Sequence, residues 1–156
     1  MTTDQEKADF YQSLAKQAQA LIEDERNLIA NLANLSALIF MSLEDINWAG
    51  FYLVDGDELV LGPFQGKPAC IRIPMGAGVC GSAAAHRTTQ IVTDVHQFEG
   101  HIACDAASNS EIVIPILSGR RLIGVLDIDS PSLARFDSID GLGLQKIVDL
   151  LQETIV

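Results

Sequence analysis

The three cysteines, Cys70, Cys80 and Cys104, carry the most reactive side chains of this chain. They lie 10 and 24 residues apart, and this spacing gives neither a C-x-x-C pair nor the short paired spacings of a structural zinc site. An odd number of cysteines is also unlike a secreted disulfide framework, which normally uses an even set. Reactive or inert thiols in a reducing compartment are the two interpretations that remain.

Cys104 differs from the other two cysteines in its surroundings. It lies in an irregular stretch, residues 94–110, rich in His, Asp, Gly, Ser and Asn, and long loops inside a compact domain are commonly functional. Cys70 and Cys80 stand beside aliphatic residues and also suit a role as small buried hydrophobic side chains. A thiol that is oxidised in turnover needs a second thiol to trap its sulfenic acid, and either Cys70 or Cys80 could serve.

Three carboxylates on two adjacent predicted strands form a second candidate group. Side chains alternate between the faces of a strand, and we expect the three-residue connection between these strands to pair Leu117 with Arg121. Glu111 then falls opposite Asp127, with Asp129 one step beyond on the same face. Like charges so placed are destabilising, which indicates a bound cation, a shared proton or a register that separates them. The simpler alternative is that these carboxylates lie at a solvated sheet edge. A calcium site is less specific, because the chain lacks a loop of closely spaced oxygen ligands.

Two aromatic residues, Trp48 and Tyr52, are four positions apart on a predicted strand and therefore share a face. Such residues usually belong to a core. They can also line a pocket, because an aromatic face holds a methyl group or a cation beside carboxylates.

The elements that must position these residues follow from the hydrophobic pattern. Helical spacing predicts two N-terminal helices, and alternating residues predict strands that are mostly linked as hairpins. The buried face of the first helix is predicted to carry Phe10, Leu14, Ala18, Leu21 and Ile22, and that of the second to carry Leu28, Leu32, Leu35 and Ile39, widened by Ile29, Ala33 and Phe40. The predicted helices cover residues 10–22, 28–40, 78–86 and 138–155, the last capped by Asp137, and the predicted strands cover 48–54, 59–61, 70–73, 89–92, 111–117 and 121–129. This order predicts an α+β fold in which the N- and C-terminal helices pack on one face of an antiparallel sheet and an active-site loop region lies on the other.

Composition bounds the domain organisation and the partners. A chain of 156 residues suits one domain, 1–156. The net charge of −11, with no basic cluster longer than Arg120-Arg121, argues against nucleic acid and anionic membranes as partners. The acidic surface serves solubility or attracts an ammonium group. No secretory signal or membrane span is apparent, so we expect a cytoplasmic protein.

The motifs around these residues resemble those of the free methionine-R-sulfoxide reductases, which have a GAF-like domain. The matching motifs are NWAGFY at 47–52, GPFQG at 62–66, GAGVCG at 76–81, HIACD at 101–105, SNSEIVIP at 108–115 and GVLDIDS at 124–130. The resemblance runs from about Leu14 to Leu151 and includes all three cysteines in context.

The resemblance implies an oxidoreductase that reduces free L-methionine-(R)-sulfoxide, and not the sulfoxide within polypeptides, without a metal or bound cofactor. It implies that Cys104 is the nucleophile, Cys70 the main resolving cysteine and Cys80 a third thiol that can join disulfide exchange. It further implies thioredoxin as the reductant. The implied substrate-binding residues are Trp48, Tyr52, Glu111, Asp127 and Asp129.

The chemistry of the residues agrees with this hypothesis. A carboxyl group with a raised pKa can protonate the sulfoxide oxygen, and the other carboxylates can attract the α-ammonium group that a peptide-bound methionine sulfoxide lacks. Two alternatives stay open: a GAF-like sensor of a small ligand, and a thiol redox sensor without a substrate. The two N-terminal helices could form a homodimer surface, although packing within the chain explains the apolar face of each helix equally well.

Overall fold

Helical and extended segments alternate in the order that the sequence predicts. The computed structural model describes residues 2–102 and 107–155. Its helices are α1 (Asp4–Ile22), α2 (Leu28–Ser42), α3 (Gly78–His86) and α4 (Ser138–Thr154), and a 3₁₀ turn covers Val95–Gln97. Its strands are β1 (Trp48–Asp55), β2 (Glu58–Gly66), β3 (Arg72–Pro74), β4 (Gln90–Val92), β5 (Ser110–Ser118) and β6 (Arg121–Ser130).

The strands form one six-stranded sheet in the order β3-β2-β1-β6-β5-β4, and every neighbouring pair is antiparallel. Two hairpins, β1–β2 and β5–β6, supply four of the strands, and β1 pairs with β6 to join them. The predicted α+β class and antiparallel sheet are confirmed. None of the helices described is long and apolar enough to cross a membrane.

One face of the sheet carries the larger core. Alternate residues of the central strands, including Phe51, Ile114 and Leu126, point toward α2 and α4, and α1 covers those two helices in turn. The prediction that the N- and C-terminal helices pack on one face is therefore confirmed.

The buried stripe of α1 differs in detail from the prediction. Phe10 and Leu21, which the spacing assigned to the buried face, are 39% and 44% exposed, whereas Tyr11 is 4% exposed. The Tyr11 hydroxyl donates to Asp140 Oδ1 at 2.6 Å, so a contact with α4, distant in sequence, sets the rotation of α1. The stripe of α2 is corrected likewise, because Ile29 is 54% exposed while Leu38 is buried.

The other face of the sheet carries a smaller core beneath α3. This short helix is rich in alanine and glycine, and its small side chains let it lie close to β3, β5 and β6. A Cβ atom on Gly81 would lie only 2.6 Å from the carbonyl oxygen of Pro74, so glycine permits this approach. The close packing carries Cys80 onto the sheet.

The third strand begins later than predicted. It spans Arg72–Pro74, and Cys70 precedes it as irregular chain. The Cys70 carbonyl accepts a hydrogen bond from the Tyr52 hydroxyl at 2.8 Å, which ties this segment to the sheet through a side chain. By contrast, the predicted cap of α4 is confirmed, because the Asp137 side chain accepts from the backbone N–H groups of Ile139 and Asp140.

Candidate active site

The register of the β5–β6 hairpin decides where the carboxylates lie. Ser118 pairs with Arg121, and Glu111 pairs with Asp129 rather than with Asp127, so the predicted Leu117–Arg121 register is wrong. The turn has two residues instead of three, and a bulge follows at Ile116/Leu117. Beyond the bulge the register is displaced by two residues from the predicted one, which keeps Glu111, Asp127 and Asp129 on their predicted face.

The three carboxylates therefore line one pocket, on the sheet face opposite α1, α2 and α4. Glu111 and Asp127 are 7% and 5% exposed, and Asp129 is half-buried. The enclosed cavity is small, about 40 Å³, and it opens to solvent. The predicted convergence of carboxylates holds, and it lies at a buried site instead of a solvated sheet edge.

Burial determines the protonation of this cluster. Desolvation, followed by the neighbouring charges of Asp127 and Asp129, raises the pKa of Glu111 well above its ordinary value. Desolvation also raises the pKa of Asp127, although hydrogen bonds from Glu111 and Cys80 to its ionised form oppose the rise. A proton on Glu111 that is shared with Asp127 fits both directions, so the cluster holds a neutral carboxyl group beside an ionised one.

The aromatic residues form one wall of the pocket, as the sequence predicts. Trp48 lies opposite Asp129 on β6, and its ring stacks on Tyr52 with 5.9 Å between ring centroids. The ring of Phe64, which the sequence analysis did not single out, lies 5.1 Å from Trp48 on a stack 15° from parallel. Trp48 Nε1 donates to the carbonyl of Lys67 at 3.1 Å, so a hydrogen bond at the ring edge fixes the indole in addition to the stacking.

Tyr52 has a structural as well as a lining role. Its hydroxyl is engaged by the Cys70 carbonyl, and desolvation followed by the charge of Asp127 raises the pKa of the phenol. Tyr52 therefore stays neutral and links the pocket wall to the segment that carries Cys70.

The cysteines differ in state. Cys70 is half-buried and disulfide-bonded, next to the pocket residue Ala69, whereas Cys80 is a buried free thiol. Cys80 Sγ lies 3.9 Å from Glu111 Oε2, and burial followed by the charges of Asp127 and Glu111 raises the pKa of the thiol well above its ordinary value. Cys80 is thus a thiol and not a thiolate.

Cys104 lies outside the described residues. The described residues just before it, His101 and Ile102, line the pocket, and so does Ser108 just after it. The predicted loop region therefore borders the pocket on both sides of the interval that contains Cys104.

Further polar residues at the pocket were not predicted. Asn47 Nδ2 donates to Ser108 Oγ at 3.2 Å, and desolvation, then the charge of His96, lowers the pKa of His101. Asn47, His101 and Ser108 begin three of the six sequence motifs, which is a signal that sequence reasoning could have used.

One set of side chains in the described part of the chain could hold a metal ion. Ligand atoms of Cys80, Glu111 and Asp127 lie within 4.8 Å of one another, and all three residues are buried. This set is neither the oxygen-only site that calcium prefers nor a cysteine-rich structural zinc site.

With fold and pocket described, comparison with known proteins places the chain. A family model of the GAF domain matches residues 29–155, and the chain belongs to the GAF domain family. It is also 54% identical over 149 residues to the free methionine-R-sulfoxide reductase of Escherichia coli strain K12, covering 96% of this chain and 90% of that protein. Within the GAF domain family, the chain belongs to the free methionine-R-sulfoxide reductases, which are oxidoreductases.

Solved structures agree with this placement. The structure of fRMsr of Staphylococcus aureus in complex with substrate is 55% identical, has a TM-score of 0.90 and covers 94% of this chain and 95% of that one. The structure of the free methionine-R-sulfoxide reductase of Neisseria meningitidis in complex with its substrate is 47% identical and has a TM-score of 0.92. The match covers 95% of this chain and 89% of that one. The resemblance drawn from the sequence motifs is confirmed.

Proposed function

We propose that this protein reduces free L-methionine-(R)-sulfoxide to L-methionine through a cysteine sulfenic acid and a disulfide. The observation that carries the proposal is the convergence of Glu111, Asp127 and Asp129 in one pocket that Trp48 also lines. Two relatives whose structures contain substrate support the substrate class.

Glu111 is proposed to protonate the sulfoxide oxygen. Attack on a sulfoxide sulfur is slow unless the oxygen receives a proton or a hydrogen bond, and Glu111 is the carboxyl group that burial most favours in the protonated form. Its proton lies inside the pocket, away from bulk water. The deprotonated group would regain a proton through its partner Asp127.

Asp129, which is half-buried, is proposed to bind the α-ammonium group with help from Asp127. Trp48 would pack against the thioether end of the substrate. A methionine sulfoxide inside a polypeptide has no free α-ammonium group to bind these carboxylates. This difference gives the proposed preference for the free amino acid.

The proposed thiol cycle has three steps. The thiolate of Cys104 attacks the sulfur while Glu111 gives its proton to the oxygen, the oxygen passes to Cys104 as a sulfenic acid, and methionine leaves. The thiol of Cys70 then condenses with the sulfenic acid, which forms the Cys70–Cys104 disulfide and releases water. A dithiol reductant, proposed to be thioredoxin, takes up the disulfide and restores both thiols. Cys80 is proposed as a third thiol that can join this exchange.

The test is turnover with separated epimers. Purified protein with dithiothreitol should form methionine from the R epimer of free methionine sulfoxide, and not from the S epimer or from a peptide that contains the sulfoxide. Cys104→Ser should abolish this turnover, whereas Cys70→Ser should keep a single reductive turnover and slow thioredoxin-linked recycling. Absence of R-selective turnover would favour a GAF-like sensor, and equal first-turnover losses in both variants would contradict the assigned thiol roles.

Two further expectations belong to the same proposal. A dithiol cycle needs a reducing compartment, so the protein is proposed to act in the cytoplasm. A homodimer through the N-terminal helices stays a prediction, supported by exposed apolar side chains such as Ile29 and Met41, and light scattering of the purified protein would test it.

A further inference from the structure

The buried end of the pocket brings one sulfur and two carboxylates together. Cys80 lies on α3, Glu111 on β5 and Asp127 on β6, so three separate elements converge there. Cys80 Sγ is 3.9 Å from Glu111 Oε2, and ligand atoms of all three residues lie within 4.8 Å of one another. No residue with a positively charged side chain lines this pocket in the part of the chain that the structure describes, apart from the titratable His101.

Asp127 supplies an independent indication of a ligand. The residue is 5% exposed, and its Oδ1 atom has no hydrogen-bond partner within residues 2–102 and 107–155. A buried carboxylate oxygen without a donor costs free energy, and such atoms are uncommon in folded proteins. This oxygen is therefore available to a cation.

We propose that Cys80, Glu111 and Asp127 form an inhibitory site for a thiophilic divalent cation such as Zn²⁺, which competes with the substrate for the same carboxylates. The ion takes no part in the reduction. The metal site stands on geometry alone, and only the competition rests on the proposed function.

The donor set selects the ion. A thiolate favours zinc-like ions over calcium and magnesium, and two carboxylates add oxygen ligands that zinc accepts. Zinc–ligand bonds of about 2.0–2.3 Å require the donor atoms to be roughly 3.3–3.8 Å apart in a tetrahedron. Separations of up to 4.8 Å need to close by no more than about 1.5 Å, which side-chain rotation can supply. Three protein ligands leave a fourth position for water.

The charge balance also favours the ion. Two carboxylates and a thiolate offer up to three negative charges in a buried site, and a divalent cation offsets their mutual repulsion. Coordination deprotonates a thiol outright, so the proton that burial keeps on Cys80 is released when the ion binds. Glu111 and Asp127 are then occupied and cannot serve the sulfoxide or the ammonium group.

The test uses Co²⁺ as a spectroscopic probe for the site. In a full-length Cys70→Ser/Cys104→Ser variant, Cys80 is the sole cysteine, and this variant cannot run the proposed reaction. Under reducing, anaerobic conditions, one equivalent of Co²⁺ should give a thiolate-to-cobalt charge-transfer band and the visible bands of a four-coordinate ion, and Zn²⁺ should displace it. Further substitution Cys80→Ser should abolish the charge-transfer band.

Asp127→Asn in the same background provides a nearly isosteric control that keeps the thiol, and it should weaken Co²⁺ binding at least about tenfold. Circular dichroism and thermal melts verify that each variant is folded.

In the wild-type protein, Zn²⁺ should raise the apparent KM without changing kcat, and a chelator should reverse the effect. Equal Co²⁺ affinity with and without the Cys80 thiol, or a spectrum of oxygen ligands only, would overturn the site. If cobalt binds through Cys80 while excess methionine sulfoxide leaves its affinity unchanged, the competition with substrate is overturned and the metal site stands.

Discussion

Glu111 on β5 lies directly opposite Asp129 on β6, and Asp127 occupies the same face of β6 two residues away. Opposed carboxylates destabilise a sheet unless charge is removed from the group. Burial and the neighbouring carboxylates raise the pKa of Glu111 well above its ordinary value, so the folded protein keeps a proton there. The sheet register thereby places a protonated carboxyl group, Glu111, inside a pocket whose other carboxylates are negatively charged.

Glu111→Gln should lower kcat/KM for free methionine-(R)-sulfoxide by roughly 10²–10⁴-fold, because glutamine cannot donate a proton to the leaving oxygen. The assay is methionine formation with dithiothreitol as reductant. Asp149→Asn, which removes an exposed carboxylate on α4, should leave kcat/KM unchanged. An unchanged kcat/KM in Glu111→Gln would remove Glu111 from the proposed acid role.

The same substitution should change how stability depends on pH. A carboxyl group whose pKa is raised in the folded state stabilises the protein most below its unfolded pKa of about 4.3, and that stability is lost as the pH rises through the folded pKa. Glu111→Gln removes this loss, so its melting temperature should exceed that of the wild type by a margin that grows between pH 5 and 9. Thermal melts across that range measure the margin. A margin that shrinks with pH would mean that Glu111 is stabilised as an anion.

Local sequence patterns are sufficient to predict most of the helices and strands, but not the strand register that shapes the site. The period of the hydrophobic residues predicts each helix and strand, and the alternation on β6 places Asp127 and Asp129 on one face correctly. The turn length and the bulge at Ile116/Leu117 depend on how two strands twist against each other, which periodicity does not encode. The face of Tyr11 depends on Asp140, 129 residues away.

Residues that support the pocket from behind its lining were missed for the same reason. Asn47 donates to the pocket residue Ser108 over 61 residues, and Phe64 stacks on the pocket residue Trp48 from a neighbouring strand. Their types alone suggest no chemistry. Glu111 was found because strand alternation places it on one face with Asp127 and Asp129, and Cys80 was found because every cysteine was a candidate for thiol chemistry.

Tyr52→Phe should slow recycling and spare the first reductive turnover. The lost hydroxyl holds the Cys70 carbonyl at 2.8 Å, and a hydrogen bond of this kind contributes about 1 kcal/mol, or about fivefold in the population of the positioned segment. Rapid-quench measurement of the first methionine formed, followed by steady-state turnover with thioredoxin, separates the two effects. Tyr11→Phe is the matched control, because its hydroxyl bonds to Asp140 and not to the pocket. Equal recycling rates in the two variants, or a loss of first turnover in Tyr52→Phe, would contradict a positioning role for Tyr52 in recycling.

Asp140→Asn should destabilise the protein without changing the pocket. Asp140 is fully buried at the start of α4, where it accepts from the Tyr11 hydroxyl at 2.6 Å and contacts Lys7 Nζ at 2.7 Å and Arg135 at 3.3 Å. Removal of one partner from a buried charge cluster costs about 3–5 kcal/mol because the remaining charges are left uncompensated. Urea unfolding should show a loss of this size, whereas Asp149→Asn on the same helix should stay within about 0.5 kcal/mol of the wild type. Because Asp140 and Glu111 act on opposite faces of the sheet, kcat/KM per folded molecule should be unchanged. A loss below about 1 kcal/mol would mean that water replaces the carboxylate and that α1 is held by its apolar contacts alone.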